Sequence, residues 1–212
     1  MVDHDCQSGW VYRNNGEREW VERCVQCNVE KARKKFPVTA RDGWVGWLDR
    51  KELSQHVVDL KLWRGDPWAV ALVCPEKSNN LGTGKTRAAC STAIEWAERG
   101  KTVGFWMVAD LAEKIREEVS EFYHVITTAD CFDDIDLLIL DDLMLERPTD
   151  LATEQIDRII DRRYRNQRPL IVTSNSSLSQ IHKRYPRVAS RLSEGKIIQW
   201  GASDFRKERG IK

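Results

Sequence analysis

The chain has no apolar run long enough to cross a bilayer and no charged-then-apolar leader, so neither membrane insertion nor secretion is expected of its 212 residues. Internal repeats and low-complexity tracts are also lacking, which removes repeat arrays from consideration. Net charge is nearly absent. Thirty-four Lys and Arg face 33 Asp and Glu, for +1 overall, so bulk charge does not announce a nucleic-acid binder. The six cysteines, at positions 6, 24, 27, 74, 90 and 131, do not form the dense framework of a disulfide scaffold. Cys74, Cys90 and Cys131 stand singly within the expected core, where a reduced thiol behaves as a small apolar group. A cytoplasmic protein is expected.

The length suffices for one full α/β core with roughly forty residues to spare. Charge is unevenly placed along it. From Asp110 to Asp157 there are 15 acids against three bases, and from Arg158 to Lys196 ten bases against two acids. Such a split is either ordinary solvated surface, a basis for head-to-tail self-association, or a track for phosphates.

Three regions are expected. Residues 1–36 form a cysteine-bearing segment ending in the basic run Lys31–Lys35. Residues 37–66 form a linker with a helix near Lys51–Trp63, its apolar positions Leu53, Val57 and Leu60 at helical spacing, stopped by Gly65 to Pro67. From residue 67 onward, short apolar runs alternate with helical patterns. The runs Trp68–Cys74, Lys101–Val108, Asp136–Leu140, Pro169–Thr173 and Lys196–Trp200 read as strands. Lys85–Glu98, Asp110–Glu121 and Thr153–Arg165 read as helices. This alternation predicts a three-layer α/β fold with a central parallel sheet covered by helices on both faces.

Between the first strand of this region and its helix lie Asn79, Asn80, Leu81, Gly82, Thr83, Gly84, Lys85, Thr86 and Arg87, in the context that a phosphate-binding loop requires. A curled backbone presents N–H groups to an anion, and Gly82 and Gly84 stand where a side chain would obstruct it. The helix N-terminus behind adds further donors and a positive dipole end. Lys85 would reach the β- and γ-phosphates of ATP, and the Thr86 hydroxyl would coordinate Mg²⁺. The first glycine of the usual pattern falls on Asn79, a residue type that also enters left-handed backbone.

Asp141 and Asp142 follow an apolar strand, at the end where open α/β sheets bind ligands. Asp141 would hold the Mg²⁺, and Asp142 would orient or deprotonate the attacking water. Asn175 follows the fourth strand in the same way and would donate to the γ-phosphate or the water. Arg187 and Arg191 stand one helical turn apart. They are either solvated surface or a means of reaching a neighbouring subunit's phosphate.

Taken together and in order from Trp68 to Trp200, these pieces resemble the AAA+ ATPases of the DnaC/IstB type, the bacterial and phage helicase loaders and transposition helpers. The resemblance rests on Gly82 to Thr86, Asp136 to Leu143, Ile159 to Tyr164, Pro169 to Asn175 and Arg187 to Leu192. It implies an AAA+ type of P-loop NTPase fold, with Lys85 and Thr86 as Walker A, Asp141 and Asp142 as Walker B, and Asn175 as sensor 1. Arg191 resembles an arginine finger, Arg187 is a second candidate, and Arg206 weakly resembles sensor 2. ATP hydrolysis is implied, and Asp142, standing where glutamate is more usual, is the feature behind the alternative of an adaptor with little hydrolysis.

Family members assemble on nucleotide, grip single-stranded DNA and deliver a replicative DNA helicase. The implied partners are therefore such a helicase, single-stranded DNA and further copies of the chain. Cys24 and Cys27 have metal-knuckle spacing, with Cys6 upstream, and some phage-type loaders carry a four-cysteine zinc module here. His4 or Asp3 would complete a tetrahedral Zn²⁺ site; free thiols are the alternative. By resemblance this segment is the helicase contact. A helicase loader leads the functional readings. An IstB-like transposition helper, a nucleotide-dependent adaptor with little hydrolysis and a small-molecule kinase without an identifiable acceptor pocket are the others.

Overall fold

The computed structural model describes residues 6, 8–16, 18–43, 54–76, 82–121, 132–145 and 150–201. A five-stranded, wholly parallel sheet lies at the centre, formed by β3 (Ala69–Val73), β4 (Val103–Met107), β5 (Leu137–Asp141), β6 (Leu170–Thr173) and β7 (Lys196–Gln199). Their order across the sheet is β4-β5-β6-β3-β7. Every residue of β3, β5 and β6 is buried, as expected of parallel strands with helices on both faces. Each expected strand is present, shortened by a residue or two at one or both ends except β5, which is shifted one residue onward to include Asp141. Hydrogen bonds still continue past the trimmed β3, since Trp68 accepts from Leu170 and Cys74 donates to the Ser176 carbonyl.

Alternate side chains go to opposite layers. Val70, Leu72, Leu137, Ile139, Ile171 and Ile198 face α1 (Val25–Lys35), α2 (Ser54–Leu62) and α3 (Lys85–Glu98). Ala69, Ala71, Val73, Leu138, Leu140, Leu170 and Val172 face α4 (Val108–Glu121), α5 (Asp150–Arg165), α6 (Leu178–Arg184) and α7 (Pro186–Ser193). The α/β three-layer expectation is met. Cys74 and Cys90 are buried in it as expected, while Cys131 lies outside the described residues.

Arg163 staples the side of the sheet opposite the ligand end. Its buried guanidinium donates to the carbonyls of Phe132 at 2.9 Å, Ile135 at 2.9 Å and Pro169 at 2.8 Å, so one side chain gathers the chain entering β5 and β6. Burial lowers its pKa to about 10, which leaves it charged at neutral pH. Carbonyl dipoles thus satisfy an ion that would otherwise be costly to bury.

Ahead of this body lies a two-stranded antiparallel hairpin, β1 (Trp10–Asn14) and β2 (Glu19–Arg23), followed by α1. Neither was anticipated beyond a cysteine-bearing segment. Helix α1 packs on α3. Asn28 donates to the Ala97 carbonyl at 2.8 Å, and Ala32 and Phe36 enter the core, so the segment's last third joins the sheet's helical layer. Helix α2 matches the expected helix over 54–62, with Val57 and Leu60 in the core; Lys51 to Leu53 lie outside the described residues.

Candidate nucleotide site

Sheet order brings three strand ends together. β6 lies between β5 and β3, so Thr173 at its carboxyl end stands between the phosphate loop after β3 and the acids after β5. Gly82 and Gly84 both take left-handed backbone, with φ of 71° and 86°, and Gly84 caps α3. That conformation is open to glycine at little cost, and it curls the loop onto the first turn of the helix.

Lys85 is 5% exposed, and its Nζ donates to the Thr83 hydroxyl at 3.3 Å. Burial lowers its pKa, opposed by the charges of Asp141 and Asp142. The Thr86 hydroxyl donates to Asp141 Oδ2 at 3.1 Å, joining two segments 55 residues apart in sequence. The Thr173 hydroxyl donates to the other oxygen, Oδ1, at 2.6 Å. Burial pushes the Asp141 carboxyl up to about 6, against those hydroxyl bonds and with help from the neighbouring Asp142. A buried carboxylate raised in this way is a group a divalent cation would stabilise, and the Thr86–Asp141 pair fits Mg²⁺.

Asp142 has left-handed backbone, φ 58°, with its N–H on the Thr173 hydroxyl at 3.0 Å. Asn175 donates to Asp142 Oδ1 at 2.8 Å. Asn175 thus fixes the orientation of the Asp142 carboxylate. Thr173 was missed as a site residue. A threonine closing an apolar strand beside an acidic strand end was the available signal, but its meaning depends on which strands are neighbours. Arg87 lies in the first turn of α3, half-buried. Asn79, Asn80, Leu81 and Arg206 lie outside the described residues.

Arg187 and Arg191 share one face of α7, where both meet Asp157 of α5. Arg191 Nη1 meets Asp157 at 3.0 Å and Nη2 meets Asp161 at 2.5 Å, both on α5. Its guanidinium also lies 5.9 Å from the Tyr164 ring centroid. Its side chain is 20% exposed, against 79% for Arg187, which lies 3.8 Å from Asp157.

At the hairpin base the Sγ atoms of Cys6, Cys24 and Cys27 lie within 4.8 Å of one another, Cys6 and Cys27 at 3.6 Å. Thiolates bound to one tetrahedral Zn²⁺ stand about 3.8 Å apart, so the trio fits that ion. The Cys27 backbone N–H lowers the Cys24 thiol pKa, while the hydrogen bond with Cys6 pushes Cys27 up to about 11, so of these two Cys24 gives up its proton first. His4 and Asp3 lie outside the described residues.

The parallel sheet, the glycine loop opening a buried helix, and the acid ending the strand two places away define a P-loop ATPase domain of the AAA+ type. Comparison with known families narrows this. The profile of the family described as IstB-like ATP binding protein matches residues 68–189, and the chain belongs to that family.

Among curated proteins it is similar to the replicative helicase loader DnaC of Escherichia coli strain K12, 28% identical over 126 residues. That match covers 57% of this chain, and the chain spans about half, 50%, of that relative. Among solved structures, a DnaC helicase loader superposes with a TM-score of 0.56 at 24% identity, over 69% of this chain and 88% of that one. The replication initiator DnaA bound to AMPPCP and single-stranded DNA gives 0.61 at 18% identity, over 76% and 52%. These structural likenesses establish a shared fold. No helix among the described residues is long and apolar enough to cross a membrane.

Proposed function

We propose that this chain is an ATP-driven loader of a replicative DNA helicase, working in the cytoplasm, that binds single-stranded DNA and assembles with copies of itself on nucleotide. The observation that carries the reading is the convergence of Thr86, Thr173 and Asn175 on the acids Asp141 and Asp142, in a chain related to DnaC. The loop from Asn79 through Asn80, Leu81, Gly82 and Thr83 to Gly84 would cradle the phosphates of ATP, with Arg87 and Arg206 beside it. Lys85 would hold the β- and γ-oxygens. Thr86 and Asp141 would hold Mg²⁺, which supplies charge neutralisation on the phosphates when bound.

Asp142, aimed by Asn175, would take a proton from the attacking water. Its shorter side chain, relative to glutamate, fits slow turnover suited to a switch. Arg191, with Arg187 one turn before it, would reach a neighbouring subunit's γ-phosphate. That step requires the Asp157 and Asp161 pairs to be exchanged for phosphate. Cys6, Cys24 and Cys27, with His4, would bind Zn²⁺ and stiffen the segment that contacts the helicase.

The test is loading of purified replicative helicase onto circular single-stranded DNA, with the Lys85→Ala protein as control. Helicase retained on the circle only with the wild-type chain and ATP supports the proposal. Binding of duplex DNA with no effect on the helicase would favour a transposition helper instead.

A further inference from the structure

Trp200 follows the last residue of β7, on the edge of the sheet beside β3, and its backbone N–H donates to Val73 at 2.8 Å. The indole is fully buried, and its Nε1–H donates to the backbone carbonyl of Thr83 at 2.9 Å, across 117 residues of sequence. Thr83 lies between the two left-handed glycines and is itself buried, at 1% exposure. A loop that turns its N–H groups inward toward an anion turns carbonyls outward. An outward carbonyl shut off from water needs a donor, or the loop carries an unsatisfied group into every conformation it adopts. Trp200 is that donor.

The same indole meets the linker. The His56 ring of α2 lies 5.7 Å from it, tilted by 33°. Three residues further along α2, Asp59 pairs with Lys196 at the start of β7, 3.0 Å apart. The phosphate loop, the edge strand and the linker helix therefore share one buried side chain.

We infer that Trp200 is a positioning residue for the phosphate loop: its indole N–H fixes the Thr83 carbonyl so that the loop's own N–H groups face the phosphates, and its ring ties that geometry to α2. This deepens the nucleotide-binding reading and rests on it. Two features of Trp200, the ring and the N–H, are separable. Trp200→Phe keeps an aromatic ring without a donor. Site-specific replacement by 3-benzothienylalanine keeps the full bicyclic shape without a donor, and it decides the matter if the phenylalanine variant unfolds.

The measurement is ATP affinity by calorimetry alongside thermal unfolding without nucleotide. For the benzothienyl protein the expected result is roughly five- to tenfold weaker ATP binding, the size of one lost hydrogen bond, with the nucleotide-free midpoint lowered by only about 2–4 °C as the Thr83 carbonyl loses its donor. His56→Ala should weaken binding about twofold, through the ring contact alone. Wild-type ATP affinity in the benzothienyl protein would overturn the inference and leave the site intact. Undiminished ATP binding by Lys85→Ala would instead remove the phosphate-loop reading, and the role of Trp200 with it.

Discussion

The carboxyl end of the sheet and the amino-terminal hairpin use opposite means to hold polar chemistry in place. At the sheet end, Asp141 is 2% exposed and its oxygens accept from the hydroxyls of Thr173, on a fully buried strand, and of the half-buried Thr86 at the start of α3. In the hairpin every residue of β1 and β2 except Val11 is exposed, Trp10 and Tyr12 included. Burial therefore fixes the first site before any ligand arrives. The hairpin has little apolar area to hold it, and isolated two-stranded ribbons are marginal in water. At its base lie Cys6, Cys24 and Cys27, which on the proposed Zn²⁺ reading would pin it. On that proposal one region is built by packing and the other by its ligands.

The sharpest way to break this contrast is at Lys85. Lys85→Ala should reduce ATP affinity at least about a hundredfold, since a buried charge-assisted contact to phosphate is lost, while the unfolding midpoint moves little. Calorimetric titration with ATP checks it, and unchanged binding would remove the site.

Next in size is Arg191→Ala. Turnover should fall roughly thirtyfold or more with ATP affinity within about twofold, as expected of a residue acting on a neighbour's phosphate. Arg187→Ala beside it separates the two arginines. The exposed Arg187 carries the trans contact if it alone lowers turnover.

Cysteine chemistry should act on the other region only. Cys27→Ser, or treatment with a chelator, should release the hairpin to protease cleavage ahead of α1 while ATP binding stays within about twofold. Cleavage unaffected by either treatment would mean that the cluster does not hold the hairpin.

The smallest effect concerns pH. Asp141 has a folded-state pKa of about 6, raised above its ordinary value by burial. It therefore destabilises the nucleotide-free protein above pH 6, and that penalty fades as pH falls through 6 toward 4. Asp141→Asn should raise the nucleotide-free midpoint at pH 7.5 by about 5 °C and flatten its pH dependence. A lower midpoint in the variant would show that the carboxylate is better paired than its burial implies.

Legibility in the sequence followed the same divide. Gly82, Gly84, Lys85, Thr86, Asp141 and Asp142 were readable because phosphate and metal binding impose residue types at fixed spacing, next to strands that announce themselves as apolar runs. Asn175 was readable by the same strand-end logic. Thr173 and Trp200 were not. Each matters through one hydrogen bond to a strand or loop far off in sequence, which only the strand order reveals. The cis pairing of Arg191 with Asp157 and Asp161 was hidden likewise, since it depends on how α7 packs on α5. The hairpin escaped because its strands bury almost nothing and so lack the period-two pattern that marks a half-buried strand. Helix α1 was masked by its basic run, although Val25, Val29, Ala32 and Phe36 carry a helical stripe.

A double-mutant cycle between Thr86 and Asp141 on Mg²⁺-dependent ATP affinity tests the central claim most directly. If the loop after β3 and the acid ending β5 share one ion, Thr86→Ala and Asp141→Asn will be strongly non-additive, with a coupling of about 1 kcal/mol or more. Simple additivity of the two losses would contradict a single magnesium-bound triphosphate between them.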